Sequence, residues 1–347
     1  MTIATQAFLP LVPPPDEISW QLVEAVAKAQ PMFGMATTQR VRYGVQRWQA
    51  RIKYTRLTAA QRHLLLRFTD YVGTFRAFWV TDFAATLRGS FPAVELLGAS
   101  AQIGSFWTGN TNRSVASDAD GARVLRTGAT ASSGAGLTTA ATVTANAAYA
   151  YRMNLEPGAG ASFSFQLGAG STRFGTTYGT SATTSAGKRL AARVVPTASP
   201  MYVSVADTIN LDANWTQSGF YLMRGASLCR AFSVDGGSGA LSQTGSELYV
   251  KDLPTSTAGL LLAGDMVEVI SGGYAQMVRV VENLDSDSSG KGFLQFEGQL
   301  RAASTANDLV VPLSPACRMC LAEAPAVTTT PPGWVTDLEL TAEEVFE

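Results

Sequence analysis

Between residues 264 and 301 the chain holds three short runs in which apolar and polar positions alternate. Val267 and Val269 flank Glu268, Val278 and Val280 flank Arg279, and Leu294 and Phe296 flank Gln295. Alternation with a period of two, broken by turn residues, predicts antiparallel strands. Ser271-Gly272-Gly273 and the run 285–291, rich in Ser, Asp and Gly, are the two turns, so this stretch reads as a three-stranded meander.

The same period recurs near the N-terminus. Val41, Tyr43 and Val45, then Trp48, Ala50, Ile52 and Tyr54, alternate against arginines 40, 42, 47 and 51. This predicts a half-buried hairpin or pair of strands, with a bulge or kink at Gly44. Residues 18–29 are expected to form a short helix. A second helix is predicted over 59–71, with Thr58 as N-cap, Leu64, Leu65, Phe68 and Val72 as its apolar stripe, and Gly73 as its stop. A strand follows over 75–82. Pro10 to Pro15 is a proline-rich arm that cannot be regular helix.

From about residue 97 the pattern changes. Short runs at 122–126, 148–155, 161–167, 190–195, 201–205, 219–224 and 231–234 are separated by loops of Gly, Ser, Thr and Ala. Many short strands with glycine turns predict a β-sandwich or jelly roll. Tyr149, Tyr151, Phe163, Phe165, Tyr202, Phe220 and Tyr221 supply a core, which argues against disorder. The fold class is therefore mainly β: a β-sandwich split in sequence, with one or two helices, and a second sandwich inserted into it. The expected boundaries are 1–96 and 246–347 for the split unit and 97–245 for the insertion.

Composition sharpens this picture. Lys plus Arg number 26 and Asp plus Glu 27, a net charge of −1, which excludes a general nucleic-acid binder. The charges are unevenly placed. Residues 1–98 hold 11 basic and 6 acidic groups, net +5; residues 99–244 hold 10 and 6, net +4; residues 245–347 hold 5 and 15, net −10. Opposite ends of opposite sign favour packing against one another or against a partner. Charged residues are only 15% of the chain, against about 25% in an ordinary soluble domain, and small residues fill the difference, as suits a structural protein. No run reaches the length of a membrane span, and residues 1–15 lack the basic and apolar regions of a signal peptide, so folding in a cytoplasm is expected.

Candidate chemistry is sparse. Asp285-Ser-Asp287-Ser-Ser289-Gly290 begins like a calcium loop, but the twelfth position is Phe296 where a bidentate Glu is needed. Cys317-Arg-Met-Cys320 has only Cys229 and His63 to complete a zinc site, and no thioredoxin-like setting, so buried thiols are expected. His63 has no partnering nucleophile. The acids of the middle segment (Asp118, Asp120, Glu156, Asp207, Asp212 and Asp235) show no pairing that would mark a glycosidase. No catalytic residue, cofactor or metal ligand is therefore assigned. Exposed aromatic rings can stack on sugars, and the candidates are Tyr178, in a Gly-rich loop, and Tyr151, Trp107, Trp215 and Tyr221. The arginines 40, 42, 47, 51, 56, 62, 67 and 76 form the densest basic region and suit contacts between subunits.

The order strand, strand, helix, strand over 39–96, with Trp48-Gln-Ala-Arg-Ile-Lys-Tyr54, Leu65-Leu-Arg-Phe68 and Gly73-Thr-Phe-Arg-Ala-Phe78, resembles the first part of the distal tail proteins of siphophages. The run from Leu262-Ala-Gly-Asp265 to Gln299-Leu-Arg301 resembles the second part. Ile103-Gly-Ser-Phe-Trp107 and Leu211-Asp-Ala-Asn-Trp215 resemble carbohydrate-binding modules. The resemblance implies a non-enzymatic virion protein at the tail tip, assembled in the host cytoplasm. It implies a belt domain that forms a hexameric ring with the tail tube, tail hub and tape-measure proteins as partners. The inserted module would take host surface glycans.

Overall fold

The computed structural model describes residues 7–10, 13–23, 26–29, 39–42, 46–74, 76–82, 87–97, 106–109, 113–118, 121–126, 136–157, 163–170, 182–184, 188–209, 220–236, 243, 245–271, 274–323, 326–328 and 336–345. The chain is mainly β. It opens with β1 (Ala7–Phe8), β2 (Glu17–Val23), β3 (Val26–Ala29), β4 (Gln39–Arg42), β5 (Arg47–Leu57), α1 (Ala59–Val72) and β6 (Phe78–Thr81). The middle holds β7 (Thr108–Gly109), β8 (Arg113–Asp118), β9 (Gly121–Arg126), β10 (Gly136–Ala141), β11 (Tyr149–Pro157), β12 (Phe163–Gly170), β13 (Ala182–Thr184), β14 (Lys188–Val194), β15 (Met201–Ile209) and β16 (Phe220–Arg230). The last part runs through β17 (Phe232–Val234), β18 (Glu247–Lys251), β19 (Met266–Ser271), β20 (Tyr274–Arg279), β21 (Gly292–Gln295), β22 (Leu309–Val311), β23 (Ala316–Leu321), β24 (Ala326–Thr328) and β25 (Thr336–Glu344).

Both chain ends build one seven-stranded sheet in the order β1-β6-β23-β25-β5-β2, with β24 added to β25. The long antiparallel register of β5 with β25, from Leu57–Thr336 to Gln49–Glu343, stitches the ends together. Its inner face carries Trp48, Ala50, Ile52, Tyr54, Phe78, Met319 and Leu340, all buried. Helix α1 covers that face with Leu65, Phe68 and Val72, and Phe68 meets Phe78 edge-on at 5.3 Å. The helix forms where the apolar spacing predicts. Thr58 Oγ1 accepts from Gln61 N at 3.3 Å, while Gln61 Oε1 accepts from Thr58 N at 3.0 Å, a reciprocal cap. Gly73, at φ 53°, closes the helix by donating its N–H to the Thr69 carbonyl at 2.8 Å. Thr58→Ala is expected to cost about 1 kcal/mol. The check is the urea midpoint at unchanged slope; an unmoved midpoint would show the cap to be idle.

The strands β20-β19-β22-β17-β18-β21 form a second, strongly curled sheet. Its edge strands meet: Val280 bridges Phe296, Val281 N donates to Gln295 O at 3.0 Å, and Glu297 N donates to Arg279 O at 2.8 Å. The sheet thus closes as a six-stranded barrel around Phe232, Val234, Leu248, Val267, Val278, Leu294 and Val310. Phe91, from the segment after β6, plugs it and stands at 5.3 Å from Phe232. The third strand of the meander, β21, pairs with β18 through Leu248–Leu294 on one side and meets the end of β20 on the other. One expectation is corrected. Residues 18–23 and 26–29 are strands, not a helix: Ile18, Trp20 and Leu22 alternate with polar positions on β2, which pairs with β5, and β3 pairs with β4.

The middle segment is a sandwich of two five-stranded sheets, β14-β11-β16-β9-β8 and β13-β12-β15-β10-β7. Tyr151, Met153, Leu155, Leu190, Val203, Val205 and Met223 fill its core. The chain enters and leaves side by side: Leu96 N donates to Leu228 O at 2.8 Å, and Glu95 bridges Cys229. Adjacent ends are the geometry of an insertion. The sandwich ends at Arg230, because β17 already pairs with β18 and β22 of the barrel. The expected boundary at 245 lies past it.

Candidate functional site

Strand β11 is buried at seven consecutive positions, 149–155. Its odd-numbered residues Tyr149, Tyr151, Met153 and Leu155 enter the sandwich core. Ala150 instead packs with Cys229, Ala231, Leu309 and Val311, a small apolar contact between sandwich and barrel. Arg152 lies on that same outward face, so a cation sits inside the joint between two units.

Glu268, the polar residue between Val267 and Val269 of barrel strand β19, answers it and is fully buried. Its Oε2 accepts from Arg152 Nη1 at 2.8 Å, Arg189 Nη2 at 2.6 Å and Ala316 N at 3.3 Å. Arg152 also donates to Leu313 O at 2.9 Å and Ser227 Oγ at 3.1 Å. The Arg189 guanidinium lies 5.3 Å from the Trp79 ring centre, which ties in strand β6 of the first sheet. Burial pulls Arg189 down to about 10, against the pull of Glu268, so it stays charged at neutral pH. Burial likewise pushes the neighbouring Cys229 thiol up to about 11, leaving it an inert thiol.

Three smaller contacts repeat this arrangement at the other joints. Arg193 donates to Asp252 Oδ2 at 2.8 Å and Ser233 Oγ at 2.6 Å across the sandwich and barrel. Glu95 takes Ser227 Oγ at 2.6 Å and Leu228 N at 2.9 Å where the insertion begins. Arg301 holds Glu344 with both Nη atoms at 2.8 Å, and Glu344 also accepts from Trp48 N at 2.9 Å, joining barrel to first sheet. Trp48 Nε1 donates back to Met277 O of the barrel at 2.7 Å.

Burial holds the Glu344 carboxyl above its usual range even with Arg301 beside it. A carboxyl raised on folding lends stability that is complete below its unfolded value of about 4.3 and is lost as pH rises through the folded value. Stability relative to a Glu344→Gln variant is therefore expected to fall as pH rises from about 4 through the folded value of the carboxyl. Thermal midpoints of both proteins across that range test this; a constant difference would contradict it.

The residues singled out by sequence are scattered. Tyr151 is 0% and Trp107 4% exposed, both within the sandwich core. Neither offers a ring face to a sugar, which corrects that expectation: the inward parity of β11 and the edge-on contact of Trp107 with Phe106 at 5.8 Å consume them. Tyr178 and Trp215 lie outside the described residues, and for Tyr221 only the β16 backbone, opposite Val124, is described. Cys317 faces the core and Cys320 the opposite side of β23, three residues on, so they cannot share a ligand. Asp287 Oδ1 caps its own turn by accepting from Ser289 N at 2.7 Å and Lys291 N at 2.9 Å. His63 is exposed on α1. Of the arginine group, Arg51 pairs with Glu339 and Arg76 stacks on Tyr71 at 4.6 Å, both within the chain; side chains of Arg40 and Arg42 lie outside the described residues. Asp235 pairs with Lys291 at 2.8 Å.

These features define a class: a mainly β protein of three packed units, one inserted into another, with buried charge at the joints. No family model matches the chain, and no curated protein matches it. Among solved structures, the N-terminal CBM22-1–CBM22-2 tandem domain of Paenibacillus barcinonensis Xyn10C covers 76% of this chain and 99% of its own, at 10% identity and TM-score 0.27. A Paenibacillus xanthan lyase covers 89% of this chain and 36% of its own, at 11% identity and TM-score 0.24. Superpositions this loose transfer no function.

Proposed function

We propose that this chain is a structural adaptor of a phage virion, a distal tail protein at the tail tip that joins the tail tube to the receptor-binding apparatus and performs no catalysis. The observation that carries this reading is the split sheet: β5 and β6 from one end of the chain interleave with β23 and β25 from the other, and the sandwich is set between them. Buried ion pairs fix the sandwich to the barrel, as a part whose work is geometric requires. Closed rings form when a head-to-tail contact repeats with a closing rotation. Tail tube, tail hub and tape-measure proteins are the partners of such a ring. Negative-stain electron microscopy of the purified chain is the test. A six-fold ring is expected; monomers at every concentration would contradict the adaptor role.

The second reading is that the sandwich binds a host surface glycan. Tyr202 favours it. This ring is half-exposed on the outer face of β15 and lies opposite Ala140 on one side and Gly170 on the other. Small flanking residues leave room beside an aromatic ring, the surface on which sugars stack. Tyr202→Ala is expected to abolish glycan binding in titration calorimetry; flat titrations of the parent chain across host glycans would remove this role.

A further inference from the structure

Strand β2 ends the seven-stranded sheet, and among the described strands only β5 pairs with it. Exposed edges are normally blunted by lysine, proline, a bulge or a cover. β2 has none of the first three. Its sequence Glu-Ile-Ser-Trp-Gln-Leu-Val carries one charge, at the first residue, and its register with β5 runs unshifted from Glu17–Lys53 to Val23–Arg47. Glu17, Ser19, Gln21 and Val23 are exposed on one face. Ile18, Trp20 and Leu22 are only half covered on the other, where Trp20 stands edge-on to Trp48 at 6.4 Å.

We infer that β2 is a self-pairing edge: two copies of this chain join β2 to β2, antiparallel, about a two-fold axis at Trp20. The strand is self-complementary in that register. Ile18 comes opposite Leu22 of the second copy, Ser19 opposite Gln21, and the lone acid Glu17 opposite Val23, so apolar meets apolar and no like charges oppose. A two-fold axis normal to the sheet keeps both helix-covered faces on one side. Pro13, Pro14 and Pro15 precede β2 and cannot extend the ladder, so the pairing stops after seven residues at either end. The contact is isologous and stands apart from the head-to-tail contacts of a ring.

The test uses the full chain. Directly opposed residues of an antiparallel pair have Cα atoms about 4.5–5.5 Å apart, within the range a disulfide spans. A mixture of Ser19→Cys and Gln21→Cys chains is therefore expected to give covalent dimers under mild oxidation. Ser19→Cys alone, whose copies are offset by two residues on each strand, is expected to behave as the parent chain does. In sedimentation, Ser19→Lys combined with Gln21→Lys sets two like-charge pairs across the axis and is expected to weaken the dimer about tenfold or more. Circular dichroism of the lysine variant separates lost pairing from lost folding, and the cross-link does not depend on that variant. A parent chain that stays monomeric and forms no mixed cross-link overturns the inference. A six-fold ring without the cross-link also overturns it while leaving the adaptor reading intact. Cross-linked dimers without any ring uphold it and count against the adaptor.

Discussion

Glu268→Gln is expected to destabilise the fold by about 3–5 kcal/mol, the range for breaking a buried ion pair by removing one partner. The substitution keeps the shape of the side chain and removes its charge. Arg152 and Arg189, 3% and 8% exposed, would then face each other in the joint without the carboxylate that both contact. The cost comes from that uncompensated charge, not from the worth of the pair itself. A second variant separates the two. Replacing the triad together, Arg152→Met, Arg189→Met and Glu268→Leu, fills the joint with apolar groups and is expected to restore most of the lost stability. Guanidinium unfolding of both variants measures this. A Glu268→Gln cost under about 1 kcal/mol would mean that water reaches the joint and that sandwich and barrel are not clamped.

Phe232→Ala is expected to cost about 3–5 kcal/mol, as large-to-small changes in a packed core do. Phe232 is fully buried and meets Phe91 in the barrel. Its location decides where the damage falls. By sequence it belongs to the insertion; by pairing, Phe232–Val310 in β17 and β22, it belongs to the barrel. Hydrogen exchange should therefore show loss of protection in β17, β18 and β22 before β12 and β15. Loss confined to the sandwich would return Phe232 to the insertion.

Much of the architecture is legible along the chain. Thr58 and Gly73 mark both ends of α1, since capping is local chemistry that tertiary packing does not overrule. The glycine-rich middle announces its strands through alternating aromatic and aliphatic residues. Three things are not legible there, for physical reasons. At 18–29 the apolar positions fit both helical and strand periods, and only the partner strands, β5 for β2 and β4 for β3, resolve them. Near 231 the composition stays rich in Ala and Ser while the chain passes from β16 straight into a barrel strand, because composition does not record pairing partners. Glu268 alternates with valines in the manner of a solvent-facing residue, yet its face meets another unit, and a period of two cannot tell water from a joint. The signal available was elsewhere: Arg152 and Asn154 interrupt an otherwise apolar and aromatic run at 148–155, a strand with too much hydrophobicity for one face.

The outward arginines also have a plainer explanation than their clustering suggests. On the open face of the first sheet, Arg51 and Lys53 of β5 lie beside Glu17 of β2 and Glu339 of β25. The positive surplus at one end of the chain and the negative surplus at the other meet there, strand beside strand. Each such exposed pair contributes little, about 0–1 kcal/mol, so their effect is on which strands neighbour one another more than on stability.

The adaptor architecture requires the first and last strands to share one sheet, with the sandwich threaded between them. Arg51 and Thr341 are opposed in the β5–β25 register. With Arg51→Cys and Thr341→Cys in one chain, mild oxidation should form a disulfide in the folded monomer that shifts its mobility under denaturing, non-reducing conditions. Rapid formation of that bond within single chains is the predicted result. Its absence, with native circular dichroism retained, would contradict the shared sheet and everything built upon it.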